Sequence, residues 1–405
     1  MLVSFKTFLE NKPLYYKAID HKRVHAAYGI LKPHIKQPRT VHVVGTNGKG
    51  STGRVLAHLA YKSGLKVGHY TSPHIMKFNE RIWLDGKDAS DEVLELAHQK
   101  LFSLLGQEMR NALSYFEYST LLAFVVFENC DLMVLEAGLG GEFDATNVCD
   151  KELSIITPIG IDHQAFLGET IKEIATTKIR SIQKKVLLAP QVYDEVVYVV
   201  KGIANDVGAD LCVCPKINTQ VDPKGLKSIA KQKGWGDYLI DNASVALQAL
   251  DILNIKYNVN DLMSVELFGR FYALADNIRI DVGHNPLAAS AIEKALDTKV
   301  VLIYNSLDDK DYEGVLRTLK PKIKRVEIIP IDSQRATILE EIEKALKVVG
   351  LEYSYFQNKI DKNENYLVFG SFYVVEEFLR RVGIPAHQEI QDKFVVGRNT
   401  HPTKG

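Results

Sequence analysis

A glycine-rich segment that carries a lysine and a hydroxyl group is the strongest chemical signal in the sequence. The segment GTNGKGST, residues 45–52, follows a short strand pattern at residues 41–44 and precedes a helical pattern that ends near residue 62. A glycine-rich turn between a strand and a helix presents backbone N–H groups and a helix N-terminus to phosphate. Lys49 would lie against the β- and γ-phosphates of a nucleotide, and Ser51 would offer its hydroxyl to Mg²⁺. The candidate phosphate-binding residues are Gly45, Thr46, Asn47, Gly48, Lys49, Gly50, Ser51 and Thr52.

Further polar groups follow strand-like segments and could hold a metal ion. Glu136 ends the apolar segment 131–136 and enters a run of glycines, and His163 comes shortly after the strand pattern 153–157. The carboxyl ends of parallel strands meet at one edge of a sheet, where α/β proteins bind ligands. Mg²⁺ prefers oxygen ligands and a few firm carboxylate anchors. Lys178 follows His163 by fifteen residues, inside a predicted helix.

The second half of the chain repeats this arrangement of polar residues at strand ends. The segment DVGHNP, residues 281–286, lies between a predicted strand and a predicted helix, and proline is tolerated at the first helical position. Asp, His and Asn are good hydrogen-bonding partners for a nucleotide or an amino acid, and an arginine suits a carboxylate or phosphate because of its forked donors. The candidates here are Asp281, His284, Asn285, Arg335, Ser371 and Tyr373.

Each candidate has a structural alternative that the spacing leaves open. Gly50 separates Lys49 from Ser51, unlike the common G-x4-G-K-[ST] loop, so the first segment could be a turn without a ligand. Glu136 could be a solvated residue at a strand end, and Lys178 could be a surface lysine of its helix. The segment 281–286 could serve only as a turn and helix cap.

Alternating strand and helix patterns must position these groups. This alternation predicts an α/β protein with parallel sheets covered on both faces. An N-terminal nucleotide-binding domain over residues 1–268 would precede a smaller Rossmann-like domain over residues 269–405. Residues 190–235 have a weaker pattern, which suggests an irregular excursion with a small antiparallel β element, and the polar last twenty residues suggest partial disorder. The predicted strands cover residues 41–44, 65–70, 131–136, 153–157, 185–189, 278–282, 300–305, 326–331 and 366–370.

The composition excludes several classes of protein. Fifty basic and fifty acidic residues cancel, so no overall field favours a nucleic-acid partner. No apolar run approaches the roughly 18 residues that a membrane helix needs, and the N-terminus lacks the apolar core of a signal peptide. Cys212 and Cys214 have no second pair of Cys or His nearby to complete a zinc site. We therefore expect a cytoplasmic enzyme with unpaired thiols. We also expect a monomer, an expectation that does not follow from the composition.

Taken together, the motifs resemble the dihydrofolate synthase/folylpolyglutamate synthase branch of the Mur ligase superfamily. The resemblance spans about residues 15–380. Eight motifs occur in one order, which chance does not explain. They are GTNGKGS (45–51), YTSPH (70–74), ERI (80–82), EAGLGGEFDATN (136–147), ITPIGIDHQAFLG (156–168), DVGHNP (281–286), DSQRA (332–336) and LVFGSFY (367–373).

The resemblance implies an ATP-dependent ligase with a P-loop ATPase domain, a Rossmann-like domain and an active site in the cleft between them. Its substrates would be ATP, L-glutamate and either dihydropteroate or a folate with a glutamate tail. ATP would convert the substrate carboxylate into an acyl phosphate, and the amino group of glutamate would then displace phosphate to form an amide. A carboxylate is a poor electrophile at neutral pH, which is why it needs this activation.

The resemblance also assigns roles to individual residues. Ser51, Ser72 and Glu136 would hold a first Mg²⁺, and Glu136, His163 and Lys178 a second, with Lys178 carbamylated. Imidazole is an unusual Mg²⁺ ligand, so the role of His163 depends on the resemblance. The catalytic set would be Lys49, Glu136, His163 and Lys178. Further ATP contacts would come from Asn242, Arg270, Asp281, His284 and Asn285, and substrate contacts from Asp144, Thr146, Asn147, Arg335, Ser371 and Tyr373.

Two departures from the family pattern affect the substrate side of the site. Glu142 stands where the family usually has arginine in GGRxDATN, and the residues around Lys178 read Thr-Lys-Ile-Arg instead of Glu-Lys-Ala-Gly. Two alternatives also remain. One is another Mur-type amino-acid ligase, which the motifs GKGS and DATN disfavour. The other is a nucleotide-binding paralogue without ligase activity, which would be expected to have lost one of the catalytic residues. The sequence does not decide whether one or both glutamate-adding activities are present.

Overall fold

The computed structural model describes residues 3–13, 20, 22–215 and 225–384. Within this part of the chain, the internal contacts define two compact units. The first comprises the residues up to Pro73 and Phe78–Val265, and the second comprises His74–Lys77 and the residues from Glu266 onward. The domain boundary predicted at residue 268 remains a prediction. The expected partial disorder of the last twenty residues lies outside the described residues.

The first unit is built on a sheet of eight strands. Their order is β4-β3-β2-β5-β1-β6-β7-β8, and all neighbours are parallel except those involving β3 and β4. The strands are β1 (Arg39–Val44), β2 (Val67–Tyr70), β3 (Ile82–Leu84), β4 (Lys87–Asp88), β5 (Leu132–Glu136), β6 (Leu153–Ile156), β7 (Lys185–Leu188) and β8 (Asp210–Val213). The helices are α1 (Phe5–Glu10), α2 (Arg23–Leu31), α3 (Lys49–Lys62), α4 (Asp91–Leu104), α5 (Gln107–Ala112), α6 (Tyr115–Val126), α7 (Gln164–Leu167), α8 (Ile171–Ile179), α9 (Asp194–Val207), α10 (Leu226–Lys233) and α11 (Asp237–Ile252).

The centre of this sheet carries the candidate site. Strand β1 lies between β5 and β6, and every residue of β5 and β6 is buried, as expected for parallel strands covered on both faces. Helix α8, which carries Lys178, begins with a capping box. The Thr170 side chain accepts the Glu173 N–H, and the Glu173 side chain accepts the Thr170 N–H. This local signal determines where α8 starts and hence which of its residues face the sheet.

The second unit contains a six-stranded sheet with the order β13-β12-β11-β14-β10-β9. Only β9 is antiparallel to its neighbour. The strands are β9 (Tyr272–Ala275), β10 (Ile278–Ile280), β11 (Val300–Tyr304), β12 (Ile323–Ile328), β13 (Tyr353–Tyr355) and β14 (Tyr366–Phe369). The helices are α12 (Pro286–Ala295), α13 (Tyr312–Leu319), α14 (Leu339–Val349) and α15 (Phe372–Arg381). Both units are α/β with mostly parallel sheets, which confirms the predicted fold class.

The predicted antiparallel element between residues 190 and 235 is wrong for the residues that the structure describes. Helix α9 and strand β8 continue the strand–helix alternation, and β8 pairs with β7 in parallel. Strand β8 was hard to detect because it lies at the sheet edge and is only half buried, so it lacks the apolar pattern of a central strand. The short strands β3, β4, β9 and β13 lie at or next to a sheet edge and escape prediction for a related reason, since two to four residues carry little periodicity.

No helix among the described residues is both long and apolar enough to cross a membrane. The longest, α11, has 16 residues.

A buried histidine on α3 predicts a pH-dependent stability. His58 Nε2 lies 3.1 Å from the Asp261 carbonyl oxygen and 3.0 Å from Ser264 Oγ, and burial lowers the pKa of His58 to about 4. The unfolded chain takes up this proton near pH 6.5, so the stability contributed by neutral His58 is complete above that pH and is lost as the pH falls towards 4. At pH 5 the loss amounts to about 2 kcal/mol.

The variant His58→Gln isolates this effect, because glutamine can still donate a hydrogen bond to Asp261 but does not titrate. Urea unfolding of both proteins at pH 7 and pH 5 should show that the wild type loses about 2 kcal/mol more than the variant. Contributions from the other buried imidazoles, those of His42, His69 and His98, cancel in this comparison. Equal losses in the two proteins would contradict the assignment.

Candidate functional site

The glycine-rich segment forms a loop between β1 and α3, as the sequence predicted. Gly45 and Gly48 have φ values of +151° and +85°, which are unfavourable for residues with a side chain. The loop is held by the segment after β6. The N–H groups of Thr46 and Asn47 donate to the Pro158 carbonyl at 2.9 and 3.1 Å. Thr46 Oγ1 also donates to the Gly160 carbonyl and accepts from the Gly160 N–H. The loop is therefore a fixed cradle.

The first turn of α3 begins inside this loop. Lys49, Gly50, Ser51 and Thr52 are its first four residues, and the N–H groups at the start of a helix lack intrahelical partners and favour anions. Thr52 is buried, and its hydroxyl has no hydrogen-bond partner among the described residues. A buried hydroxyl without a partner costs about 1–3 kcal/mol, so the start of α3 has polar capacity that a ligand could satisfy.

Two lysines that are distant in sequence meet at this loop. Lys49 Nζ donates to the carbonyl oxygens of Gly45 and Thr46 at 3.2 and 3.1 Å. Lys178 Nζ donates to the same Gly45 oxygen at 2.8 Å, and Lys178 is only 4% exposed. Lys178 is thus not a surface lysine of its helix, and the structural alternative for this residue is wrong. Two amines next to a phosphate cradle can stabilise a nucleotide's negative charge or, after modification, bind a metal ion.

Ser51 is held by an asparagine from α11. Ser51 Oγ donates to the Gly48 carbonyl at 3.2 Å and accepts from Asn242 Nδ2 at 2.8 Å, and both side chains are buried. A Cβ atom at Gly48 would lie 2.7 Å from Asn242 Oδ1. Asn242 is therefore packed directly onto the loop. The structure brings the predicted residues Ser51 and Asn242 together, although 191 residues separate them.

Glu136 ends β5 as a buried carboxylate beside the residues that follow β2. Its Oε2 atom accepts a short hydrogen bond from the Thr71 hydroxyl and a longer one, at 3.4 Å, from the Ser72 N–H. The predicted metal ligands Glu136 and Ser72 are thus neighbours. Thr71 is a residue that the sequence analysis did not single out, although it lies within the YTSPH motif. A buried carboxylate with donors on one oxygen retains acceptor capacity for a cation.

His163 follows β6 in a left-handed conformation, with φ of +52°. This conformation costs a non-glycine residue ~1 kcal/mol and is often found at functional sites. The His163 ring is partly exposed, with Nε2 3.9 Å from Asp162 Oδ2, while the His163 N–H donates to Asp162 Oδ1 at 2.9 Å. Among the described residues, no three side chains of His, Cys, Asp and Glu converge on a common metal position. The predicted metal sites therefore need Ser51, Ser72 and Lys178 as ligands in addition to Glu136 and His163.

The DATN residues after the glycine run form a buried hydrogen-bonded network. Asp144 Oδ2 accepts the Leu139 N–H at 2.8 Å, and Oδ1 accepts both the N–H and the hydroxyl of Thr146 at 2.9 and 2.5 Å. Burial raises the pKa of Asp144 and places the pKa of His42 well below its ordinary value. Because the Thr146 hydroxyl donates to Asp144, His42 Nε2 must carry the hydrogen of the 2.7 Å contact with Thr146 Oγ1. His42 had no signal in the sequence, since it lies inside an apolar strand.

Asn147 is also held by the protein. Its Nδ2 atom donates to the Glu142 carbonyl at 2.8 Å, and its Oδ1 atom accepts from Lys151 Nζ. These bonds order the loop that follows Glu136. The predicted substrate contacts of Asp144, Thr146 and Asn147 stay predictions.

The polar residues of the second unit form caps and turns. Asp281 accepts the N–H groups of Phe271 and Gly283 at 2.8 and 2.7 Å, Asn285 caps α12 and Ser371 caps α15. His284 Nδ1 lies 3.2 Å from the Val282 carbonyl oxygen. Asp281 and Asn285 therefore act as a turn and a helix cap here, as the structural alternative for residues 281–286 states. The contacts of this unit's polar residues with ATP or glutamate remain predictions.

Two arginines and a tyrosine complete the predicted set in this unit. Arg270 lies with its guanidinium 5.2 Å from the Phe372 ring centre, and its Nη1 donates to the Gly269 carbonyl. Arg335 Nη2 pairs with Asp309 at 2.6 Å. Tyr373 lies in the first turn of α15 and is partly exposed.

Comparison with known proteins identifies the family to which the chain belongs. No protein-family model matches the chain. A curated dihydrofolate synthase/folylpolyglutamate synthase from Haemophilus influenzae is 31% identical over an alignment of 441 residues, which covers 93% of this chain and 96% of that protein. The crystal structure of Helicobacter pylori folylpolyglutamate synthetase is 40% identical, with a TM-score of 0.76, and the match covers 94% of this chain and 98% of that one.

A further solved structure carries ligands. It is a bifunctional folylpolyglutamate synthase/dihydrofolate synthase from Yersinia pestis complexed with AMPPNP and Mn ion. That protein is 25% identical with a TM-score of 0.79, and the match covers 94% of this chain and 97% of that one. These matches extend over nearly the full length of both partners and confirm the family that the ordered motifs predicted. The chain belongs to the dihydrofolate synthase/folylpolyglutamate synthase family.

Proposed function

We propose that this protein joins L-glutamate to dihydropteroate, to the glutamate tail of folates, or to both, in a reaction driven by ATP. The observation that carries the proposal is the meeting of Lys49 and Lys178 at the Gly45 carbonyl of the phosphate loop. A simple nucleotide-binding scaffold needs the loop and Lys49 but has no use for a second, buried amine from a distant helix. The names of the full-length relatives supply the substrate class.

The residues around the loop suit a divalent metal ion. Ser51, Ser72 and Glu136 would hold a first Mg²⁺, while Glu136, His163 and Lys178 would hold a second. The buried Glu136 carboxylate and the serine hydroxyls are the oxygen donors that Mg²⁺ prefers. A metal ion there would neutralise charge that develops as the γ-phosphoryl group moves.

Carbamylation of Lys178 would complete the second metal site. A protonated lysine has no lone pair with which to bind a cation, whereas a carbamate presents carboxylate-like oxygens. The surroundings of Lys178 support this modification, because two ammonium groups that share the Gly45 oxygen repel each other. The ammonium group first gives up one proton to solvent. The neutral amine then forms a bond to the carbon of CO₂ and loses a second proton, so the carbamate replaces one of these positive charges by a negative one.

The chain's own groups would then act in two steps. Lys49 and the first-turn amides of α3 would hold the triphosphate while a substrate carboxylate oxygen attacks the γ-phosphorus and ADP leaves. The amine of glutamate would next attack the acyl phosphate, and inorganic phosphate would leave as the amide forms. Asn242 would contact the adenine. Contacts from Arg270, Asp281, His284 and Asn285 to ATP, and from Asp144, Thr146, Asn147, Arg335, Ser371 and Tyr373 to the other substrates, belong to the same proposal.

We also propose that the enzyme is a monomer and works in the cytoplasm. All four cysteines are unpaired, which is typical of proteins from a reducing compartment. Sedimentation of the purified protein would test the first statement.

Phosphate release tests the function directly. The purified protein is assayed with MgATP, L-glutamate and bicarbonate, with dihydropteroate in one reaction and tetrahydrofolate in another. Release in both reactions would indicate a bifunctional enzyme, and release in one of them would identify the single activity. No release in either, from protein that binds MgATP, would contradict the proposed function and favour a nucleotide-binding paralogue.

A further inference from the structure

The loop that follows Glu136 is fastened to the end of α8 at three points. The Glu142 N–H donates to the Thr177 carbonyl at 2.9 Å. Gly141 lies so close to the Lys178 main chain that a Cβ atom on it would be 2.2 Å from the Lys178 carbonyl oxygen. The third contact is an ion pair, in which Arg180 Nη1 lies 3.4 Å from Glu142 Oε2. We name these five residues the clasp.

The clasp connects β5, which carries Glu136, with α8, which carries Lys178. The proposed second metal site needs both residues. Glu136 is the last residue of β5, five residues before Gly141, and Lys178 lies in the last turn of α8. Besides the clasp, β5 and α8 are linked through the sheet, by way of the strands β1 and β6. The distance between the Glu136 carboxylate and the Lys178 amine therefore depends directly on how the loop sits against the end of α8.

The ion pair is the adjustable part of the clasp. Close main-chain contacts fix the positions of Gly141 and of the Glu142 N–H. The side chains of Glu142 and Arg180, by contrast, are 28% and 56% exposed. They are also two positions at which this chain departs from its family pattern, and the structure puts them in contact. A carboxylate at 142 with a guanidinium at 180 is electrostatically complementary.

We propose that Glu142 and Arg180 are positioning residues that close the clasp and thereby hold Lys178 in place for modification and metal binding. This inference rests on the proposed function of Lys178. Like charges at the two positions push the loop away from α8, weaken the bond between the Glu142 N–H and the Thr177 carbonyl, and move the Lys178 main chain. Lys178 then presents its amine less well to CO₂, and a higher bicarbonate concentration is needed for the same activity.

Charge exchange tests the inference. Three variants are compared with the wild type: Glu142→Arg, Arg180→Glu and the double exchange. Exposed ion pairs are worth up to about 1 kcal/mol, so each single variant should raise the bicarbonate concentration for half-maximal activity about two- to fivefold. The double exchange restores an opposite pair and should return this concentration to within about twofold of the wild-type value. Glu313→Arg, in an exposed ion pair on α13, is the matched control and should leave it unchanged.

A second measurement does not depend on catalysis. Hydrogen exchange of the amide at position 142 should speed up about two- to fivefold in each single variant and recover in the double exchange. Unchanged exchange in the single variants, or a double exchange that behaves like the sum of the singles, would overturn the role of the ion pair. An inactive wild type whose amide 142 still responds to charge exchange would leave the clasp intact but remove its connection to glutamate ligation.

Discussion

Replacing Lys178 by alanine is expected to lower turnover by about 10²–10³-fold while the protein continues to bind MgATP, as is found when one group that stabilises transition-state charge is removed. Lys178 is buried at the phosphate loop, and the proposed carbamate would provide a metal ligand there. Nucleotide binding should persist because Lys49 and the first turn of α3 are unaffected. Steady-state phosphate release and binding of a fluorescent ATP analogue separate the two effects.

Chemical rescue distinguishes a missing carboxylate from a missing ammonium group. Removing the Lys178 side chain leaves space beside the Gly45 carbonyl, so acetate at millimolar concentration should restore part of the activity of Lys178→Ala, whereas methylamine should not. Lys172→Ala, an exposed lysine of the same helix, is the control and should behave like the wild type. Wild-type turnover by Lys178→Ala, or rescue by methylamine alone, would contradict the carbamate assignment.

Gly45→Ala is expected to cost about 3 kcal/mol of stability and to abolish ATP-dependent activity. A Cβ atom at Gly45 would lie 2.0 Å from Thr157 Oγ1 and 2.9 Å from the Thr157 carbonyl oxygen. Thr157 cannot move aside easily, because it is buried and its Oγ1 donates to the Val44 carbonyl. The positive φ of Gly45 adds backbone strain. The loop must shift, and both lysines that donate to the Gly45 carbonyl shift with it. Urea unfolding and phosphate release measure the two losses.

Two further variants test the cause. In Gly45→Ala/Thr157→Ala the 2.0 Å contact disappears and the 2.9 Å contact stays, so stability should recover only in part. Gly29→Ala lies in the exposed face of α2 with no atom within 4 Å of the new Cβ, and it should stabilise the protein by about 0.5–1 kcal/mol. A Gly45→Ala protein as stable and active as the wild type would show that the loop is not the rigid cradle described above.

The central strands and the phosphate loop could be predicted because their signals are local. Strands β5 and β6 are fully buried and consist mostly of apolar residues, β1 ends in the buried segment 41–44, and the glycines of the loop mark the turn into α3. Edge strands such as β4 and β13 are short and partly exposed, so composition does not distinguish them from loops. The predicted start of β12 lies three residues late because its first half contains the exposed Lys324 and the half-buried Arg325, which interrupt the apolar pattern.

The sequence by itself determined the family, the α/β class and most of the chemically active residue types, since these depend on motifs whose members are close together along the chain. Only the tertiary structure decided which of those residues meet. It brought Lys178 to the Gly45 carbonyl and Asn242 to Ser51, and it gave Glu136 its partner Thr71. The physical reason is that a parallel sheet aligns the carboxyl ends of its strands at one edge, and that helices packed beside it, here α8 and α11, add side chains from distant parts of the chain. Side chains that share no local pattern become neighbours there.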